Sequence, residues 1–315
     1  METRDGINAQ EYIRTNCVRI FEKVRPIDYY KIIPLLKEVE GSWEYIDENF
    51  GEITSKMLET TFKNNIDKFI KQLVINGRND DSLKKYMPIL FEKADSNTLL
   101  SLIWAFKEFE VIGNYINENF EFLIKKYDGY SMLTLINYIR EVKGMDKIIS
   151  ENLDLLLECV DEVSVLELIK ELSDLDKMKE FMSEAENITK VIKKSTPYKI
   201  KDLIVLLKST YNVSTLIMQE TDTILSQIPG SVFPEVLSEL MTGEGKEKVE
   251  KYIQNNFLEL IAMCDSNKIP NLINIIVGIK NIENYIEQII NECSPDSLPQ
   301  LVKALSRKDY KQYTV

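Results

Sequence analysis

The chain has 315 residues, 44% hydrophobic and 29% charged, with 11 Gly, 9 Pro and no histidine; this is far from the low-hydrophobicity composition that leaves a chain disordered. Its 39 basic and 51 acidic residues give a net charge of −12, which opposes a nucleic-acid partner unless a basic stripe is locally segregated. The missing histidine removes Ser-His-Asp and Cys-His catalysis and histidine-ligated zinc.

Read from the N-terminus, two short patterns alternate. Tyr12-Ile-Arg-Thr-Asn-Cys17 opens a first helix type, A, and an apolar face at Ile32 opens a second, B. Helix A returns as Tyr45-Ile-Asp-Glu-Asn-Phe50. Helix B returns at Ile66, with Lys68, Lys71 and Gln72 off its apolar face. A weaker A stretch over 82–91 is followed by Asp95-Ser-Asn97, side chains suited to cap a helix start. The clearest B copy, Leu99-Leu-Ser-Leu-Ile-Trp-Ala-Phe106, is apolar at places one, four, five and eight, the i, i+3, i+4, i+7 face of a helix. Ser101 and Trp104 lie off that face.

The alternation continues with Tyr115–Phe120 (A) and Met132–Ile139 (B, with Thr134, Asn137 and Tyr138 off the face), then Ile148–Leu153 (A) and Val165–Leu172 (B, with Glu167, Lys170 and Glu171). A degenerate A stretch over 181–192 precedes B at Ile200 and B at Phe233. Tyr252–Phe257 (A), Ile269–Ile276 (B), a shortened A copy at Tyr285-Ile286 and B at Leu298 complete the series. Pro234, Pro270 and Pro299 hold the second place of B, in the first turn, where the absent N–H costs little. Gly41, Gly144 and Gly243 to Gly245 fall in the B-to-A connections, as turn residues should.

Successive B starts are separated by 34, 33, 33, 33, 35, 33, 36 and 29 residues. The expectation is an all-α chain: a right-handed α-solenoid of about nine antiparallel helical hairpins in one domain spanning 1–315, with repeats over 8–306 and a short tail over 307–315. Two amphipathic helices cannot bury both apolar faces alone, so each hairpin must stack on its neighbours. The chain resembles the α-helical solenoids that include HEAT, armadillo and tetratricopeptide arrays. It shows neither the Trp-Leu-Gly-type signature of tetratricopeptide repeats nor the Thr-Pro-Leu-His of ankyrin repeats. The resemblance implies an extended surface for binding a partner and no catalytic residues.

The recurrent Asn16, Asn49, Asn119, Asn152 and Asn256 read either as hydrogen bonds between neighbouring hairpins or as an exposed amide ladder for an extended ligand. Tyr45, Tyr115, Tyr252 and Tyr285 read as packing anchors. Cys159, Cys264 and Cys293 occupy nearly equivalent ends of helix A and read as small packed residues rather than redox or metal groups. Gly243-Glu-Gly-Lys246 lacks the spacing and preceding strand of a phosphate-binding loop.

The off-face places three, six and seven of helix B define the candidate binding strip: Lys68, Lys71, Gln72, Ser101, Trp104, Thr134, Asn137, Tyr138, Glu167, Lys170 and Glu171. Trp104 reads equally as a partner anchor and as packing against the next repeat. The expected function is a noncatalytic adaptor, scaffold or regulator holding a protein or extended peptide, without cofactor or metal. The alternatives are an RNA-binding helical-repeat protein and a carboxylate-dependent enzyme. No run of about 18 to 20 apolar residues and no basic-plus-apolar leader is present; no membrane insertion is expected, and the protein reads as cytoplasmic or exported without a conventional signal peptide.

Overall fold

A computed structural model describes residues 16–17, 19–37, 39, 41–59, 65–78, 80–127, 129–279 and 282–306. Among them the secondary structure is helical, with no strand. The Tyr12–Thr15 part of the first A motif and the tail over 307–315 lie outside the described residues. By its contacts the chain divides into two compact units, Met1–Ile149 and Ser150–Val315.

The first unit contains α1 (Tyr29–Leu36), α2 (Ser42–Leu58), α3 (Ile66–Ile75), α4 (Asp80–Lys93), α5 (Ser96–Phe106), α6 (Glu110–Lys125) and α7 (Gly129–Arg140); α8 (Met145–Glu151) crosses the division. The B-type helices α1, α3, α5 and α7 pack each on the next, and so do the A-type helices α2, α4 and α6. Lys126 Nζ, at the end of α6, donates to the Phe91 and Ala94 carbonyls at 3.2 and 2.7 Å. A cation thus sits on the carbonyl end of the neighbouring α4, where the helix dipole favours it.

The second unit contains α9 (Leu153–Cys159), α10 (Val165–Glu171), α11 (Asp176–Met182), α12 (Ala185–Lys194), α13 (Ile200–Tyr211), α14 (Ser214–Gln219), α15 (Thr221–Gln227), α16 (Phe233–Leu240), α17 (Lys246–Met263), α18 (Ile269–Ile276), α19 (Ile286–Glu292) and α20 (Leu298–Leu305). Here α10, α13, α16, α18 and α20 pack in succession. The carbonyl-end device recurs: Lys208 Nζ, on α13, donates to the Thr242 carbonyl at 2.8 Å, beyond the end of α16.

The apolar register explains both cores. In the B helices beginning their pattern at Ile66, Leu99, Met132, Val165, Ile200, Phe233 and Ile269, places one, four, five and eight are all buried. A fully buried Leu, Ile or Phe contributes about 1.5–3 kcal/mol, so this face dominates helix placement. The N-terminal copy corrects the register taken from sequence. The buried series there is Tyr29, Ile33 and Leu36, whereas Leu35 is 69% exposed. Its first place is therefore Tyr29, three residues before Ile32. Tyr29 wins because its hydroxyl donates to the Phe21 carbonyl at 2.9 Å and its ring meets Phe21 edge-on at 5.2 Å.

The A helices bend at one register. Asn119 (φ −123°, ψ 17°) and Asn256 (φ −115°, ψ 21°) leave helical geometry inside α6 and α17, and Asn152 (φ −122°, ψ 26°) stands between α8 and α9. All three lie 13 residues before the following B pattern. The side-chain amides of Asn49, Asn119 and Asn256 donate to the carbonyl four residues back, on Tyr45, Tyr115 and Tyr252, at 2.8–3.0 Å. For these three, the expected bonds between hairpins and the exposed amide ladder are both corrected. Each amide supplies a donor inside its own helix, and in α6 and α17 it does so where the backbone ladder is disturbed. Tyr285 (φ −120°, ψ 3°) occupies this same kink register, so it is the counterpart of these Asn residues rather than of Tyr45.

Candidate interaction surface

Helices α1, α3, α5 and α7 turn their apolar faces inward, so places three, six and seven lie to the other side on successive helices, Ala105 of α5 excepted, which is buried. In the first unit Lys68, Lys71, Trp104 and Asn137 are exposed, and Gln72, Ser101, Thr134 and Tyr138 are half-buried. Lys68 Nζ bonds Asn65 Oδ1 at 2.9 Å and stands 5.6 Å from the Tyr30 ring of α1. Lys71 lies 3.9 Å from Asp67, and Gln72 Oε1 accepts from the Asn76 amide at 3.3 Å. Ser101 and Thr134 turn their hydroxyls back to the carbonyls of Asn97 and Tyr130.

Trp104 and Tyr138 meet across α5 and α7. Their ring centroids are 6.0 Å apart at 68°, an edge-to-face pair. Trp104 remains 47% exposed. Trp104 therefore packs on the next B helix while much of its surface stays uncovered. Lys107 Nζ lies 3.5 Å from the Trp104 ring centroid, a cation–π contact, and 3.5 Å from Glu141 Oε2. The sequence reading missed Lys107, although its spacing from Trp104, three residues along one helix, was available.

In the second unit Lys170 and Glu171 are exposed and Glu167 is half-buried. Glu167 Oε1 pairs with Lys199 at 3.1 Å, and Glu235 Oε1 pairs with Lys268 at the same distance. In both cases place three of one B helix meets the residue just before the next. Glu167 is thus shared between adjacent B helices. A groove of about 260 Å³ crosses α13, α16 and α18, lined by Lys201, Glu235, Ser238, Glu239, Asn271 and Ile275. On the A side of the first unit, a cleft of about 270 Å³ between α4 and α6 is lined by Lys84, Met87, Pro88, Val111, Asn114 and Tyr115.

No family model matches the chain, and no curated protein or solved structure matches it either. The chemistry of the surface therefore rests on its own residues. Among the described residues no group of three or more Cys, Asp and Glu is arranged to hold a metal ion. No helix of the described residues is long and apolar enough to cross a membrane.

Cys264 and Cys293 are buried at the A-to-B turn, five residues before their B patterns, in extended backbone. Burial pushes the Cys264 thiol up to about 12, with Asp265 and Glu235 adding to the shift, which disfavours the reactive thiolate. The same place is held by Val160, Ser195 and Ile228, all buried. Cys159 lies one residue earlier and is only half-buried, which corrects its grouping with the other two. What recurs is a small or apolar residue that packs, not a thiol.

Proposed function

We propose that the chain is a noncatalytic right-handed α-solenoid of about nine antiparallel hairpins, one repeat domain that holds a protein or extended peptide along its helix-B strip. The observation that carries this reading is the Trp104–Tyr138 pair. A large aromatic residue stays 47% exposed amid polar positions, while the face behind it is fully packed. Aromatic residues so placed are the usual anchors of protein interfaces.

The consecutive packing of B helices in each unit supports a continuous strip rather than isolated patches. The absence of histidine and the burial of Cys264 and Cys293 favour binding over chemistry. The test is affinity capture from a native lysate with the wild-type chain and a Trp104→Ala/Tyr138→Ala variant of unchanged helicity. A protein retained by the wild type and lost from the variant is the expected result; equal retention by both would move the binding face elsewhere.

A further inference from the structure

The register that sorts burial also sorts charge. At places three, six and seven of α1, α3, α5 and α7 stand Lys31, Lys68 and Lys71 and no carboxylate. At the same places of the B helices in the second unit stand Glu167, Glu171, Asp202, Glu235 and Glu239 against Lys170 and Lys303. The first unit thus carries a cationic strip in a chain of net charge −12.

Local carboxylates offset only part of this charge. Asp28 is shared by Arg25 and Lys31, each at 2.6 Å, leaving that cluster positive. Lys68 bonds a neutral amide oxygen, and Lys71 is 51% exposed with Asp67 no nearer than 3.9 Å. Lys68 and Lys71 lie three residues apart on one face of α3. One helix further on lies the Trp104–Tyr138 pair.

We propose that this strip takes an acidic peptide segment: a pair of carboxylates on Lys68 and Lys71, and an apolar side chain on the exposed part of Trp104 beside Tyr138. The inference rests on the peptide-binding reading above. Packed helices lie about 8–10 Å apart and an extended chain rises about 3.3 Å per residue, so the apolar residue lies about three positions from the acidic pair, on either side. Two lysines match a short acidic motif. A polyphosphate strand would need a longer basic track to overcome repulsion by the whole chain.

A displayed library of random peptides, panned over the full chain, separates the outcomes. The parallel targets are the Trp104→Ala/Tyr138→Ala variant and a Lys68→Glu/Lys71→Glu variant, both at exposed or half-buried positions. The expected pool is lost on the aromatic variant, is rich in Asp and Glu next to an apolar residue, and becomes basic on the charge-reversed variant. A synthetic peptide from that pool should lose about tenfold or more in affinity on charge reversal.

A pool that depends on Trp104 and Tyr138 but lacks acidic bias, or is unmoved by charge reversal, overturns the acidic specificity and leaves the peptide-binding reading standing. No enrichment over the aromatic variant overturns both. A labelled oligouridylate that binds more tightly than the best peptide, and is released by the charge reversal, overturns the proposal in favour of single-stranded nucleic acid.

Discussion

Gly230 shows how a single residue ties two successive A-to-B turns together. A Cβ built at this position would lie 2.5 Å from the backbone nitrogen and from Oδ1 of Asp265, and 2.6 Å from the Met263 carbonyl. Backbone atoms cannot yield as a flexible side chain does. Gly230→Ala should therefore destabilise the protein by about 1–3 kcal/mol, the usual cost of overpacking, read as a lower urea midpoint. An unchanged midpoint would mean that the two turns separate freely.

Tyrosine hydroxyls form a second set of such ties. Tyr127 donates to the Ser96 carbonyl at 2.5 Å, Tyr211 to the Ile169 carbonyl at 3.0 Å, and Tyr252 to Asp222 at 2.9 Å. Burial raises all three phenols above their usual 10.0, Tyr252 to about 12 with help from its bond to Asp222. An unfolded chain ionises its tyrosines near the ordinary value, so above it the unfolded state binds fewer protons than the fold. The stabilisation is fully present below pH 10 and is lost as pH rises toward and beyond 12. Tyrosinate absorbance should therefore lag on an alkaline titration and appear together with loss of helicity; a simple titration centred near pH 10 would contradict the buried phenols. At this scale the sequence was half legible. It offered Tyr45, Tyr115, Tyr252 and Tyr285 as packing anchors, and their rings or hydroxyls do meet Phe21, Phe91, Asp222 and Phe257. It gave no sign of Tyr127 or Tyr211, because a hydroxyl reaching 31 or 42 residues back along the chain leaves no local pattern.

At the scale of the element, B and A helices differ in what the sequence discloses. Helix B is placed by apolar periodicity, a property of side-chain types alone, and seven copies could be read to the residue. The N-terminal copy was misplaced because Ile32 and Leu35 mimic the first and fourth places. A tertiary bond from Tyr29 to the Phe21 carbonyl decides the register instead. Helix A was recognised by its recurrent Asn, but not the reason for it: residue lists carry no backbone angles. If the Asn256 amide fills the carbonyl that its own kink disturbs, Asn256→Ala should cost about 1 kcal/mol, one intramolecular hydrogen bond. Amide exchange should quicken around the bend in α17. Faster exchange at α18 alone, with α17 unchanged, would instead assign the side chain to contacts between hairpins.

For the whole molecule, the decisive question is how far a local loss propagates. Within each unit a B helix packs on the B helix before it and the one after it, and in the proposed solenoid stability is a sum of repeat and nearest-neighbour terms. Leu237, fully buried on α16, tests this. Leu237→Ala should cost about 2–5 kcal/mol by lost transfer energy and residual cavity. Hydrogen exchange should accelerate in α16 and in α13 and α18, which pack against it, while α3 and α5 in the first unit keep their protection. Equal acceleration throughout would replace the nearest-neighbour picture with one cooperative core. The division at Ile149 and Ser150 was not legible, because the repeat spacing runs through it at 33 residues, from Met132 to Val165. Charge at the off-face places, by contrast, differs between the two units. The lysine-bearing places of the first unit end at α3, and the glutamate-bearing places of the second begin at α10. Exchange protection conferred by an acidic peptide should accordingly concentrate in α3 and α5 and spare α16.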